Sequence, residues 1–437
     1  MSTGKANTGG KSTASKQGSK AVANAYLKAA AQPTGARPKA SKTAKASKTP
    51  TATGRTPKTT QPPTQSRAAR IWRRFYRAVL MALTFVSALG LGIASFGGHG
   101  HPSVYPGACV MVMLFPGWLS AMVVMTILDA IWCRKALVIC ALAYAGCIHA
   151  ILDFTPVNVG SPKVADGTPT FTMLSFNVQN FSSRSGEYPN GSNPAISYIL
   201  DVDADVVCLQ EAVPLAYGKW GRVEFESAQI DSLYRRYPYI IINSDQMMFL
   251  SKYPTEAIHT GSASRYNRIA LARINVEGKL ITLVNVHLQS YQLTKDDKQL
   301  YRDITSRETD SIGVREGMGM VRAQLLRKIQ KAAERRAGDA ERMLNYISHF
   351  GGPNVIVTGD FNDVPGCYTL HRLADANMRQ VYPEVCFGPA ITYYVDKFYF
   401  RIDHVLYRGC LKPLDMHIGG SHASDHLPIL TTFALTE

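Results

Sequence analysis

The first 77 residues contain no acidic side chain. They hold 17 Lys and Arg residues and no Asp or Glu, whereas the whole chain of 437 residues has 48 basic and 32 acidic residues. The formal net charge of +16 therefore comes from the amino-terminal segment, and the rest of the chain is close to neutral. Overall charge thus gives little reason to expect that the body of the protein binds nucleic acid.

Cysteine motifs for zinc or redox chemistry are also absent. There is no CxxC, and no Cys/His group has the spacing of a zinc site. Eight cysteines are spread along the chain, and we interpret most of them as small apolar residues. A Cys367–Cys386 disulfide outside the cytoplasm stays an open alternative, because spacing alone cannot establish it.

Residues 1–66 have too few large apolar side chains to bury a core. They consist mainly of Lys, Thr, Ala, Ser, Pro and Gly in near-repeats, which predicts a disordered basic tail. Two roles stay open for this tail. It is either a solvated cytoplasmic segment that enforces topology, which we favour, or a contact for anionic lipid or nucleic acid.

Three apolar spans follow, which predict three transmembrane helices within residues 67–154. They are Ala78–Phe96, Gly107–Leu128 and Ala136–Leu152, each close to the roughly 20 residues that cross a bilayer. We expect Pro116 to kink the second span. Arginines precede the first span, Arg134 and Lys135 separate the second from the third, and the loop 97–106 has no Lys or Arg. The positive-inside rule therefore predicts a cytoplasmic amino terminus and an extracytoplasmic carboxy-terminal region.

A linker is predicted over residues 155–168, and a catalytic domain over residues 169–437. Short β-rich runs dominate that domain, including a hairpin across Glu277-Gly278, and Val321–Phe350 has helical periodicity. Alternating and wholly apolar strands occur together, which favours an α/β sandwich with mixed sheets over a doubly wound sheet.

The stretch Val355–Pro365 carries the clearest chemical signal. Three β-branched residues predict a buried strand that Gly359 ends, followed by Asp360 and Asn362. In an extended chain these two side chains point to the same side, and together they suit a hard cation such as Mg²⁺. The alternative is an Asx-rich turn closed by Pro365.

Five further stretches place polar groups at strand ends. They offer Asn177, Glu211, His287, Asp403, and the pair Asp425-His426. A lone Asn or His at such a position is usually a satisfied hydrogen-bonding group. Asp403 lies within an apolar run, however, and a buried carboxylate is costly unless it is paired. We expect a histidine to be its partner.

Together, these motifs and their order resemble the endonuclease/exonuclease/phosphatase superfamily of divalent-metal phosphohydrolases over roughly residues 169–435. The resemblance implies a four-layer α/β sandwich, with two mixed β-sheets face to face and helices outside. It implies that Mg²⁺ or Mn²⁺ is held by the metal-side residues Glu211, Asn177, Asp425 and Asp360. The implied catalytic residues are His426, Asp403, Asp360, Asn362 and His287, with Asp403 orienting His426.

The resulting hypothesis is a membrane-anchored phosphodiesterase or phosphatase with an extracytoplasmic catalytic domain, acting on membrane-proximal phosphoesters such as lipid headgroups. The alternatives are a nuclease acting on extracytoplasmic nucleic acid and an inactive membrane scaffold of the same fold. Substrate recognition is expected in the loops Ser290–Gly317 and Gly388–Tyr399. Their tyrosines, which could stack on bases or face a bilayer, are Tyr291, Tyr301, Tyr393, Tyr394 and Tyr399.

Overall fold

The computed structural model describes residues 66–160, 162–182, 191–215, 218–220, 223–243, 245–259, 262–264, 267–291, 312–395 and 398–436. The predicted tail lies outside the described residues apart from Ser66, which caps the first helix. Its hydroxyl accepts a hydrogen bond from the Ala69 N–H at 3.2 Å. Most of the loop Ser290–Gly317, including Tyr301, also lies outside them.

The apolar region forms five helices: α1 (Arg67–Phe96), α2 (Ala108–Met113), α3 (Phe115–Trp132), α4 (Leu137–Gly146) and α5 (Ile148–Phe154). Among the described residues, α1 and α3 are long and apolar enough to cross a membrane. The pair α4 and α5 is bent by 66° and makes a third span if it is counted as one. The described part of the chain therefore has two or three helices suited to a bilayer.

The expected second span, Gly107–Leu128, is divided by a break at Leu114, where α2 ends and α3 begins. Pro116 lies in the first turn of α3, so it starts a helix instead of kinking one. Proline is tolerated there because the first N–H groups of a helix have no partner within the helix.

The remaining described helices are α6 (Pro194–Val202), α7 (Ser227–Arg236), α8 (Ile312–Phe350), α9 (Tyr368–Asp375) and α10 (Tyr382–Val385). The strands from β1 to β8 are Thr170–Asn177, Val206–Gln210, Gly218–Trp220, Val223–Phe225, Tyr239–Ile242, Met248–Ser251, Thr255–His259 and Ser262–Ser264. Strands β9 to β15 are Asn267–Val276, Lys279–His287, Val355–Asp360, Arg379–Gln380, Asp403–Arg408, Leu411–Ile418 and Ile429–Leu435.

Two mixed sheets form the centre of the catalytic region. The first has the order β14-β15-β1-β2-β6-β5, and the second has the order β12-β13-β11-β10-β9-β7, with β8 beside β9. A core cluster that includes Phe171, Phe433, Ile274 and Ile356 joins the two sheets. Helices α6 and α7 pack outside the first sheet, and α8 and α9 pack outside the second. The predicted four-layer α/β sandwich is confirmed.

The predicted hairpin across Glu277-Gly278 joins β9 to β10. Both turn residues have positive φ, 51° and 82°, which matches the right-handed twist of the strands that they connect. The antiparallel register pairs Val276 with Lys279 and continues to Arg268 opposite His287. The turn therefore determines which residue of β9 lies beside the histidine at the end of β10.

The segment between α1 and α3 rests on the catalytic region. The His99 ring stacks on the His371 ring with 3.8 Å between centroids. A Cβ added to Gly98 would lie 1.8 Å from the Gly366 carbonyl oxygen, so the two backbones touch directly. From α2, Val112 packs with Val364 and Ile402. The apolar region and the catalytic region thus share a packed interface.

Candidate active site

The motif residues meet where strands of both sheets end. The first sheet contributes Asn177, the last residue of β1, and Glu211, directly after β2. In the second sheet, β10 and β11 are parallel with His287 beside Asp360, and β11 and β13 are antiparallel with Asp360 beside Asp403. Strand register thus brings groups from five strands to one end of the sandwich.

Gly359 allows the close approach that positions Asp360. Its φ is 135°, and a Cβ at this position would lie 2.1 Å from the Val286 carbonyl oxygen. Any side chain would therefore push β11 away from β10. The glycine keeps Asp360 in register with His287, one residue further along both strands.

Asp360 is the centre of the cluster, and it is buried. Its Oδ2 accepts a hydrogen bond from Asn177 Nδ2 at 3.1 Å. The same oxygen lies 3.5 Å from His426 Nε2 and 3.7 Å from His287 Nε2. One carboxylate therefore faces an amide and two imidazoles that three other segments supply.

Asn362 is placed differently from the expectation of an extended chain. Its φ is 53°, so the backbone turns sharply after Phe361. The Asn362 N–H donates to Asp360 Oδ1 at 2.8 Å, and its Nδ2 donates to the Leu288 carbonyl at 3.1 Å. Asn362 therefore holds the Asp360 carboxylate through its backbone, as in the turn interpretation, while Asp360 itself still faces the cluster.

Asp403 and His426 form the predicted acid–imidazole pair. The distance between His426 Nδ1 and Asp403 Oδ2 is 2.8 Å, and both residues are buried. The Thr392 hydroxyl oxygen accepts a hydrogen bond from the Asp403 N–H at 3.1 Å, and the Tyr393 ring lies edge-on to His426 at 5.1 Å. The carboxylate thereby holds the ring so that Nε2 faces Asp360.

Burial and neighbouring charges shift the pKa of several groups in the cluster. Burial lowers the pKa of His426, but the Asp403 and Asp360 carboxylates outweigh this effect and raise the pKa to about 10. Burial raises the pKa of Asp360 to about 6, although the charge of His426 opposes the shift. Burial lowers the pKa of His287 to about 4. These shifts favour a protonated His426 beside an Asp360 carboxylate that is largely ionised near neutral pH.

The donor set suits a hard divalent cation. Donor atoms of Asp360, Asp403 and His426 lie within 4.8 Å of one another. Because Asp403 and His426 pair with each other at 2.8 Å, Asp360 is the member of this group that is left to face a cation. Glu211 adds a carboxylate 3.6 Å from His287 Nε2, and its pKa is raised by burial. The charge of Asp425 raises the pKa of Glu211 further. Carboxylates that repel each other in this way are relieved when a cation binds between them.

Sequence reasoning missed a set of residues around the cluster. The buried Arg336 on α8 donates from Nε to Asp363 Oδ2 at 2.9 Å and from Nη1 to the Gln289 carbonyl at 2.9 Å. No local pattern distinguishes it from the other basic residues of this helix. Arg268 was also missed, although the predicted hairpin already places it opposite His287, and its charge acts on Glu211.

Comparison with known proteins gives a family match. A profile described as the Endonuclease/Exonuclease/phosphatase family matches residues 174–426. No curated protein matches the chain.

Solved structures are similar at low identity. An endonuclease/exonuclease/phosphatase from Bacteroides vulgatus is 14% identical with a TM-score of 0.41, covering 61% of this chain and 99% of that chain. Truncated Caenorhabditis elegans TDP2 is 16% identical with a TM-score of 0.38, and the match covers 61% of this chain and 98% of that chain. D. rerio TDP2, complexed with single strand DNA product, is 18% identical with a TM-score of 0.38, and the match covers 60% of this chain and 98% of that chain. The family assignment depends on the profile match.

Proposed function

The chain belongs to the endonuclease/exonuclease/phosphatase family, and from this premise we propose a divalent-metal-dependent hydrolase of phosphate esters that works at a membrane surface. One observation supports this chemistry above the others. The Asp360 carboxylate faces Asn177, His426 and His287 at 3.1, 3.5 and 3.7 Å. Such a cluster combines acidic ligands for a cation with imidazoles for proton transfer.

In this proposal Mg²⁺ or Mn²⁺ is held by Glu211, Asn177, Asp425 and Asp360. Three carboxylates are the kind of ligand that these hard cations prefer. Asn177 donates from Nδ2 to Asp360 Oδ2 in this structure, so its amide would turn over to offer the oxygen to the cation. The bound ion would neutralise negative charge on the phosphoryl oxygens and on the leaving group.

The protein's own groups would handle the proton and the orientation of the substrate. Asp403 holds His426 at Nδ1, so His426 Nε2 points to the side where Asp360 lies. A protonated His426 would hydrogen-bond a phosphoryl oxygen, and Asp360 would accept the proton of the attacking water. His287, at the end of β10, would also contact the phosphoryl oxygens. It lies on one side of Asp360 in the sheet, and Asp403 lies on the other.

We place the substrate among membrane-proximal phosphoesters such as lipid headgroups. The Gly388 N–H donates to the Pro156 carbonyl at 2.8 Å, and Pro156 is only two residues after the end of α5. The catalytic region therefore begins within a few residues of the apolar helices. This short tether raises the effective concentration of esters in the adjacent leaflet.

Two observations support an extracytoplasmic catalytic domain. The segment after α1 packs on the catalytic region through His99 and His371, so both occupy one side of any bilayer that α1 crosses. The arginines at positions 67–77 begin α1, at the opposite end of that helix. Because cationic flanks favour the cytoplasmic side, the amino terminus would be cytoplasmic. A carboxy-terminal alkaline phosphatase fusion should then be active, and a bright cytoplasmic fluorescent-protein fusion would contradict this orientation.

The activity is tested with the full chain in lipid nanodiscs and added Mg²⁺. The substrates are sphingomyelin, phosphoinositides, DNA, RNA and simple phosphate monoesters. We expect lipid phosphoesters to be hydrolysed, EDTA to abolish turnover, and Asp415→Asn, a change at an exposed acid of β14, to leave turnover intact. Rapid degradation of free DNA with untouched lipids would favour the nuclease alternative. If none of these substrates is hydrolysed in a metal-dependent way, the result would favour the alternative of an inactive membrane scaffold.

A further inference from the structure

The four most exposed large apolar side chains in the described part of the catalytic region, from residue 155 onward, belong to two segments. They are Val159, Phe387, Val157 and Tyr399, with exposed fractions of 91%, 69%, 65% and 59%. Ile391, between Phe387 and Tyr399, is also exposed. We call these five residues the apolar rim. Isolated apolar residues are common on protein surfaces, but a contiguous group of them is typical of an interaction site.

The first part of the rim is attached to the catalytic region directly after α5. Val157 forms an antiparallel bridge with Phe387. Asn158 Nδ2 donates to the carbonyls of Pro383 and Cys386, each at 2.9 Å. A chain spans at most about 3.6 Å per residue, so Val157 lies within roughly 11 Å of Phe154, the last residue of α5. These rim residues are thus close to the end of the last apolar helix.

The second part of the rim belongs to a hairpin that rests on the same helices. The Phe400 N–H donates to the Tyr393 carbonyl at 3.1 Å, which closes the hairpin around Tyr399. Phe400 and Tyr393 pack with Val112 of α2. Buried Arg401, at the base of the hairpin, donates from Nη2 to the carbonyl of Asp153 in α5 at hydrogen-bonding distance. Both parts of the rim therefore lie on segments attached beside α2 or the carboxyl end of α5.

We propose that the apolar rim is a lipid-contact surface that dips into the leaflet beside α5. We identify lipid as the partner of the rim because the chain continues directly from the apolar helices into it. Side chains held a few residues from a membrane-spanning segment meet the bilayer interface before any other partner. Aromatic residues such as Phe387 and Tyr399 suit this zone because it is apolar on one side and hydrated on the other.

The rim continues into the wall of the active site. Ile391 precedes Thr392, which holds the Asp403 N–H, and Tyr393, whose ring faces His426. Two residues along the chain thus separate Ile391 from the ring beside the catalytic imidazole, and we take this segment as the route by which a lipid in the leaflet would reach the site. This route rests on the proposed phosphoesterase function, whereas the lipid contact itself does not.

The contact is tested with the full chain in phosphatidylcholine nanodiscs, with or without bromines near the carboxyl end of the acyl chains. Phe387→Trp adds a fluorophore to the rim. The matched control is Leu280→Trp, an exposed apolar residue at the start of β10. Leu280 lies seven residues, or about 23 Å, along β10 from His287, so it is far from the candidate site. Trp72, Trp118, Trp132 and Trp220 are common to both variants.

We expect brominated lipid to quench most of the emission that the tryptophan at position 387 adds, and little of the emission added at position 280. Equal quenching at the two positions would overturn the proposal. Absence of quenching at position 387 would overturn it as well, and would leave water, a second copy or another protein as what the rim faces.

The route is tested by activity on two substrates. Phe387→Ser should lower turnover of a bilayer phosphoester on the order of 10-fold, because the rim no longer holds the domain on the leaflet. Turnover of water-soluble bis-p-nitrophenyl phosphate should not change, and Leu280→Ser should leave both rates intact. An equal loss on both substrates would overturn the route. If the unmodified protein has no activity, the proposed function fails while the quenching result still decides the lipid contact.

Discussion

The Arg336 guanidinium and the Asp363 carboxylate form a buried ion pair with 2.9 Å between Nε and Oδ2. Arg336 also donates to the Gln289 carbonyl at 2.9 Å, and its guanidinium lies 4.5 Å from the centre of the Tyr291 ring. The arginine thereby joins the loop that follows His287 to the loop that follows Asp360. We expect Arg336 to position His287 and Asp360, which these two loops follow.

Replacing Arg336 with methionine should destabilise the protein by about 3–5 kcal/mol, because a buried carboxylate loses its partner. Thermal unfolding of the full chain measures the effect as a lower midpoint. Arg335→Met is the matched control, since Arg335 is adjacent on α8 and exposed. Equal midpoints for the two variants would show that the ion pair does not contribute to stability.

Asp403 and His426 should act as a unit in catalysis. General acid–base groups typically contribute on the order of 10²–10⁴-fold, so His426→Ala should lower kcat by about that factor. The double variant Asp403→Asn/His426→Ala should be scarcely slower than His426→Ala alone, because coupled residues are not additive. The measurement is a double-mutant cycle: steady-state rates of the unmodified protein, Asp403→Asn, His426→Ala and the double variant. Losses that multiply would mean that the 2.8 Å pair is not the catalytic one.

Glu211→Gln should mainly raise the requirement for Mg²⁺. The substitution keeps the shape of the side chain and removes a negative charge that would face the cation. Turnover measured against Mg²⁺ concentration should shift to higher concentrations, with most of the maximal rate recovered at saturation. For His426→Ala, the same titration should keep its midpoint while the maximal rate falls. A Glu211→Gln titration that overlays the unmodified protein would exclude Glu211 as a ligand.

His404 should make stability depend on pH. Burial, and then the charge of Arg401, lower the pKa of this imidazole to about 3, against an ordinary value of 6.5. Because the unfolded chain binds the proton more readily, the stability that depends on neutral His404 is complete above about pH 6.5 and falls as the pH drops towards 3.

His404→Gln removes the titrating group and offers an amide to the Asp363 carbonyl, which accepts from the imidazole at 2.9 Å. Between about pH 7.5 and 5.5, the unmodified protein should lose about 1.4 kcal/mol more than this variant. Unfolding midpoints measured across this range give the comparison. Parallel pH profiles for the two proteins would mean that His404 is not the group responsible.

Gly98→Ala should weaken the contact between the apolar region and the catalytic region. The added Cβ would lie 1.8 Å from the Gly366 carbonyl oxygen, so the backbones must separate. Because Gly366 is six residues after Asp360, we expect lower turnover together with a lower unfolding midpoint. Gly107→Ala, where no atom lies within 4 Å of the added Cβ, is the control. If turnover is unchanged in both variants, the contact between Gly98 and Gly366 is not required for activity.

The sequence by itself determined the strands, the polar groups at their ends and the β9–β10 hairpin. These features depend on local patterns: apolar alternation, a turn with Gly278, and polar residues where an apolar run stops. The need of a buried carboxylate for a partner also pointed from Asp403 to a histidine. The fold class and the candidate motif residues were therefore predictable without coordinates.

Only the tertiary structure decided how those groups meet. The turn at Asn362, the contacts of Asp360 with three distant segments, and the role of Arg336 depend on residues far apart in the chain. No local pattern encodes such contacts.

The division of the predicted span Gly107–Leu128 has a similar physical cause. Val112 of α2 packs against Val364 and Ile402 of the catalytic region, whereas α3 is suited to lipid. Hydropathy measures how strongly a side chain avoids water. It does not distinguish a lipid neighbour from a protein neighbour, so one continuous apolar run contained both a helix that packs on the catalytic region and a helix that is suited to a membrane.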